Sequence, residues 1–255
     1  MTLEVCCGNL ESVHAAVRGG APRVELCSRL DVDGLTPPWE DLRAARRLYP
    51  SLRIEVLIRP REGDFCYDAA EVAQMAADIE TAFSLGADGV VFGCLTPSGD
   101  VDVPAMRQLM ECVNACSLAR ALAHSGCHGA SDAQFFAGAD RELEVCFHRA
   151  FDQCAWPFDA LEAIIDLGCT RILTSGKAPA AVEGTDMLRE LRERARGRIG
   201  ILPGGGVTPA NAHRILQLTG CTQIHASASV RQPDGRKVTS EEIVRDILLA
   251  IRELE

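Results

Sequence analysis

Short runs rich in β-branched residues alternate along this chain with amphipathic stretches of helical period, and the alternation repeats eight times. The strand-like runs are 3–7, 23–28, 53–59, 89–94, 144–149, 171–175, 199–202 and 223–227. Between them the spacing of apolar positions predicts helices over 9–19, 38–48, 69–85, 102–116, 157–167, 179–195, 208–218 and 240–254. Such alternation implies parallel strands joined by crossover helices. Eight units without a composition break, in 255 residues, predict an α/β fold: one (β/α)8 TIM barrel spanning residues 1–255. Punctuation agrees, because Gly20, Gly86, Gly168 and Gly220 each follow a helical pattern shortly before a strand. Thr208-Pro209 supplies an N-cap and a first-turn proline for the seventh helix. The segment 117–143, with His124, Cys127 and His128, is an insertion before strand five, too long for an ordinary connection. It is expected to be an extra helix or a mobile excursion. With the fourth helix ending near 116, it would lie opposite the strands' carboxyl ends.

Alternation within each strand separates a helix-facing side from an inward one. The outward positions of strand three are Ile54, Val56 and Ile58, which turns Glu55, Leu57 and Arg59 inward. The same rule turns Cys146 and His148 of strand five inward, with Leu173 and Ser175 of strand six and Gln223, His225 and Ser227 of strand eight. Strand four, Val90-Val91-Phe92, is apolar on both sides. The phrases Leu3-Glu4-Val5-Cys6 and Val24-Glu25-Leu26-Cys27 place Glu and Cys together on the inward face of the first two strands. Branched apolar residues ordinarily fill a barrel interior. Ionisable groups buried there unpaired would cost several kcal/mol each, on the order of magnitude typical of such burial. Two arrangements avoid that cost: mutual pairing, or a wet cavity at the carboxyl end, and the second is the expectation.

The net charge of −10, with scattered Lys and Arg, argues against nucleic acid or an anionic membrane as partner. No apolar run reaches the roughly 20 residues of a membrane span. The start, Met1-Thr2-Leu3-Glu4, shows no basic-then-apolar leader, so the expected location is cytoplasmic. Twelve cysteines without a C-x-x-C pair read mostly as reduced, buried small hydrophobes. A homo-oligomer, as a dimer, is the expected assembly.

Candidate chemistry follows from the inward face and the carboxyl-end loops. For acid/base chemistry on a small anionic metabolite, a carboxylate or a phosphate, the residues are Glu25, Arg59, His148, Asp152 and His225. Arg59 would grip the anion bidentately, and His148, where barrel catalytic groups emerge, would act as base. Pro203-Gly204-Gly205-Gly206 ends strand seven, a place where bare backbone amides bind phosphate. The expected anion-binding set is Arg59, Ser175, Gly204, Gly205, Gly206 and Ser227. For metal chemistry, adjacent strands about 4.8 Å apart bring Cys6 and Cys27 within reach of one ion. Two thiolates suit a soft metal ion, and Cys146 or a histidine would complete the site.

Several motifs resemble the CutC copper homeostasis family. They are Glu25-Leu26-Cys27-Ser28, Gly34-Leu35-Thr36-Pro37, Ile58 to Phe65, Phe147 to Asp152, Ile172 to Gly176 and Pro203 to Val207. The likeness runs in register from Leu3 to about Ser227. It implies a TIM barrel, a cytosolic location and a role in copper handling. The chain departs from the family pattern at Glu62, where Gly is usual, at Cys146, where Thr is usual, at Ala226-Ser227, and in the 117–143 insertion. Two functions follow: a Cu(I) binder using Cys6, Cys27 and Cys146, and a barrel enzyme using the acid/base set.

Overall fold

In a computed structural model, residues 1–126, 142–233 and 235–252 are described. The chain begins with β1 (Thr2–Cys7), α1 (Leu10–Gly19), β2 (Arg23–Leu26) and α2 (Trp39–Leu48). It continues with β3 (Arg53–Leu57), α3 (Ala69–Ser84), β4 (Gly89–Phe92) and α4 (Val103–Gly126). Next come β5 (Glu144–Phe147), α5 (Pro157–Asp166), β6 (Arg171–Thr174) and α6 (Thr185–Ala195). The last units are β7 (Gly200–Pro203), α7 (Pro209–Thr219), β8 (Gln223–Ala226), a hairpin of β9 (Ser229–Arg231) and β10 (Lys237–Thr239), and α8 (Glu241–Arg252). The strands pair in parallel in the order β7-β6-β5-β4-β3-β2-β1-β8. A bridge between Gly204 and His225 joins the two ends and nearly closes the ring. This is the (β/α)8 barrel that the alternation predicts.

Local chemistry fixes the boundaries. Asn9 caps α1 by accepting the Ser12 N–H, and Asp68 closes a capping box with Glu71 at the start of α3. Gly20 and Gly220 end α1 and α7 in the left-handed conformation, at φ 93° and 67°. Strands β2 and β3 stop short of their predicted ends because Ser28 N–H turns to Leu35 O and Arg59 N–H to Thr36 Oγ1.

Three elements differ from the sequence expectation. Helix α4 does not stop near 116 but runs unbroken to Gly126, so the first part of the insertion prolongs a barrel helix. Cys127, His128 and the remainder of the insertion up to 141 lie outside the described residues. Helix α6 starts at Thr185 rather than 179, because the preceding segment folds against the end of β6. Ser175 Oγ donates to Ala178 O at 2.6 Å, and a Cβ on Gly176 would stand 2.4 Å from Gly184 O. The β9–β10 hairpin was not foreseen, since three-residue strands are too short to display alternation.

The apolar core forms two layers. Outward residues such as Val5, Leu26, Ile54, Phe92, Phe147 and Ile172 pack against the helices. Inside the ring, Leu57, Val91, Leu173 and Leu202 form a thin plug with Cys27 and Cys146. That plug resolves strand four: Val91 faces in, Val90 and Phe92 face out.

Candidate functional site

Below the apolar plug the barrel interior is ionic. Glu4 on β1 accepts from Arg171 Nη1 at 2.7 Å and pairs with Arg23 Nε at 2.6 Å. Arg171 also reaches Glu55 at 3.0 Å and Glu144 at 2.8 Å, and Arg53 pairs with Glu144 at 2.6 Å. Room for these groups comes from glycine: a Cβ on Gly89 would lie 2.0 Å from Glu55 Oε2. Burial alone would raise the Glu4 carboxyl, but Arg171 and Arg23 hold it well below the ordinary range. Glu55 is less well compensated, and burial pushes it up to about 7 against the pull of Arg171. Part of the polar interior is thus mutually paired, the arrangement not favoured from sequence. Its cationic members, Arg23 and Arg171, were missed there.

Toward the carboxyl end a second cluster shares Glu4. His225 Nδ1 donates to Glu4 Oε1 at 2.8 Å and lies 3.6 Å from Glu25 Oε2. Burial would strip its proton, but contacts with Cys6, Glu4 and Glu25 hold the imidazolium well above its usual range. Glu25 is pushed up to about 7, by burial first and by the charge of Glu4, with His225 opposing. Cys6 and Cys27 Sγ lie 3.5 Å apart. Cys27 S–H donates to Cys7 O at 3.5 Å, which assigns Cys6 as donor to the Cys27 sulfur. The Cys6 thiol is pushed up, first by that bond and then by burial. The Cys6 bond pulls the Cys27 thiol down, but burial and the Glu25 charge outweigh it and leave it raised. Donor atoms of Cys6, Glu25 and His225 fall within 4.8 Å of one another. Cys146 does not join them. Its Sγ lies 3.7 Å from Phe147 O inside the apolar plug, on β5, which β3 and β4 separate from β2 and its thiol pair.

Above this floor opens a cavity of about 500 Å³, lined by Cys6, Glu25, His225, His148, Arg149 and Gly205 among others. Arg59 also lines it but is largely occupied. Nη1 donates to Val32 O and Gly34 O at 2.8 and 2.9 Å, Nη2 donates to Gly63 O at 3.0 Å, and the guanidinium stacks on Phe65. The bidentate grip expected of Arg59 is therefore spent on loop carbonyls, leaving Nε alone without a partner. His148 packs on Phe65, and its Nδ1 accepts the Ala150 N–H at 3.3 Å. Burial, aided by the Arg59 charge, drives its pKa down to about 3, so the ring is neutral. Asp152 organises rather than projects: it accepts from Thr174 Oγ1 at 2.5 Å, Ser175 N at 3.1 Å and Lys177 N at 3.1 Å. Ser175 Oγ, whose hydrogen goes to Ala178 O, lies 3.1 Å from Asp152 Oδ2, and Ser227 Oγ accepts from Ser229 at 3.3 Å on the cavity wall. Arg149, absent from the sequence-based set, is the cation that stands against Gly205.

Fold and site together define a parallel (β/α)8 barrel with a thiol-, carboxylate- and imidazole-bearing cavity at the strands' carboxyl ends. The chain belongs to the CutC family, whose sequence profile matches residues 1–134 and 132–230. A CutC family protein of Bacteroides fragilis is 44% identical over 252 residues, covering 99% of this chain and 90% of the relative. One from Aliivibrio fischeri is 41% identical over 236 residues, covering 92% and 85%. A solved CutC structure from Streptococcus agalactiae, provisionally described as a copper homeostasis protein, superposes with TM-score 0.74 at 30% identity, covering 89% and 98%. Among the described residues, no helix is long and apolar enough to cross a membrane.

Proposed function

We propose that this chain is a cytoplasmic Cu(I)-binding protein of copper homeostasis that holds the ion between Cys6 and Cys27 at the cavity floor. The observation that carries this reading is the convergence of the two sulfurs to 3.5 Å, with Glu25 and His225 beside Cys6. Two thiolates are the soft donors that Cu(I) prefers. The floor is also stocked with protons. Cys6, Cys27, Glu25 and His225 are all shifted toward their protonated forms. Such a site exchanges protons for a cation, so binding releases protons and strengthens as pH rises. The eleven described cysteines are free, in keeping with a reducing compartment. A dimer remains part of the proposal, to be tested by light scattering in solution.

Anaerobic titration of Cu(I) against a competing chelator tests this reading. Tight binding of one ion per chain is expected, lost in the Cys6→Ser/Cys27→Ser variant and retained in Cys146→Ser. Unchanged binding in the double variant would remove the site.

A second reading is favoured by one observation. Glu25, pushed up to about 7 beside a protonated His225, sits where it can exchange a proton near neutral pH with a molecule in the cavity. In this reading Glu25 and His225 act as an acid/base pair on a small anionic metabolite, and Asp152 positions the β6 loop. Metabolite turnover abolished by Glu25→Gln, with Cu(I) affinity little changed, would favour the enzyme.

A further inference from the structure

The cavity rim holds hydrogen-bonding capacity that the described chain leaves unused. Arg149 is fixed from two sides, with Nε donating to Asp152 Oδ2 at 2.9 Å and Nη2 to Ser175 Oγ at 3.2 Å. Its Nη1 is left over and lies against Gly205, where an added Cβ would stand 3.4 Å away. The amides of Gly206 and Val207 meet no acceptor among the described residues, whereas that of Gly205 faces His225 across the bridge that joins the ends of the ring. They run into the N-terminus of α7, and both glycines hold left-handed backbone, at φ 102° and 69°. A helix end with bare amides favours an anion, but it does not by itself make a site.

A second, independent feature points to a ligand. His148 is only 5% exposed, and its Nδ1 is taken by the Ala150 N–H. The neutral ring therefore carries its hydrogen on Nε2, a buried atom without a partner in a residue that lines the cavity. A buried donor without an acceptor is uncommon and costly in a native fold. Lys237, carried in by the β9–β10 hairpin, lines the same cavity.

We propose that this rim is a subsite for a small phosphate monoester. The phosphoryl oxygens rest on Arg149 Nη1, Lys237 and the Gly206 and Val207 amides, and an oxygen of the carbon skeleton accepts from His148 Nε2–H. Two amides and two cations offer more donors than the two oxygens of a carboxylate can use, which selects a tetrahedral dianion. The assignment deepens the acid/base reading and rests on it only for the role of Glu25, not for binding.

The test is calorimetric titration of the full chain, at fixed ionic strength, with glycerol 3-phosphate, inorganic phosphate and glycerate as probes. Glycerol 3-phosphate is expected to bind most tightly, inorganic phosphate more weakly, and glycerate weakest. Arg149→Ala should weaken the phosphate ester about tenfold or more, the scale of a charge-assisted hydrogen bond. Arg149 also braces Asp152 and Ser175, so Lys237→Ala is the second variant. Its side chain makes no hydrogen bond among the described residues, and a loss of roughly threefold is expected. Absent phosphate binding, binding indifferent to both substitutions, or glycerate matching the ester would overturn the subsite. Turnover is not read, so phosphate binding that depends on Arg149 alongside an inert Glu25 would end the acid/base reading alone.

Discussion

Glu25 and Glu55 carry pKa values near 7 inside a barrel, against 4.5 for an ordinary glutamate. The folded chain therefore holds protons that the unfolded chain releases, and these groups make stability fall as pH rises from about 4.5 to about 7. His225, whose pKa is raised, extends the decline to higher pH. Glu4 acts oppositely, since its depressed pKa gives stability that is lost as pH falls below about 4.5. Chemical denaturation across pH should show a maximum near pH 5, with Glu55→Gln flattening the neutral limb by up to about 3 kcal/mol. A stability that climbs from pH 5 to 8 in the wild type would refute these protonation states. Arg171 is the keystone of the lower network. Arg171→Met should cost about 3–5 kcal/mol, because three carboxylates lose a shared partner. At this scale the sequence was partly legible. Alternation turned Glu4, Glu25, Glu55, Cys6 and His225 inward, and the structure puts them there. Arg171 stands two residues before Leu173 on the same face, so the signal was present but went unused. Arg59 was misjudged for a different reason: its acceptors are carbonyls of distant loops, which no periodicity reveals.

At the scale of elements, period-two and period-3.6 patterns located every barrel strand and helix, because each buries one face against the other layer. What they missed was set by local contacts. The late start of α6 depends on the backbones of Gly176 and Gly184 meeting, and the hairpin that delivers Lys237 is too short for a pattern. Gly89 on β4 shows how an element serves the interior. Gly89→Ala would drive a methyl group into Glu55 and to 2.7 Å from Glu144 O, so a loss of about 1–3 kcal/mol is expected in thermal or chemical denaturation. Wild-type stability in that variant would mean that the Glu55 carboxylate is not packed against β4. By contrast, Cys146→Ser should cost stability in the apolar plug without touching metal affinity, which places Cys146 with the core.

At the scale of the whole molecule, the barrel is divided along its axis. An ionic lower half is covered by an apolar plug except beside β1 and β8, and above it a cavity of about 500 Å³ opens where (β/α)8 proteins keep their chemistry. Glu4 spans the two halves, binding Arg171 below and His225 above, so protonation at the floor is coupled to the network beneath it. Cu(I) affinity should therefore rise with pH, as thiol protons become easier to displace, and fall in acid. In the proposed site Cys6 and Cys27 together hold the ion. X-ray absorption at the copper edge, on protein loaded anaerobically with one Cu(I) per chain, tests it most directly. A first shell dominated by two sulfur scatterers is expected, lost in Cys6→Ser/Cys27→Ser. A shell of nitrogen and oxygen alone, or a sulfur shell that survives the double substitution, would contradict it.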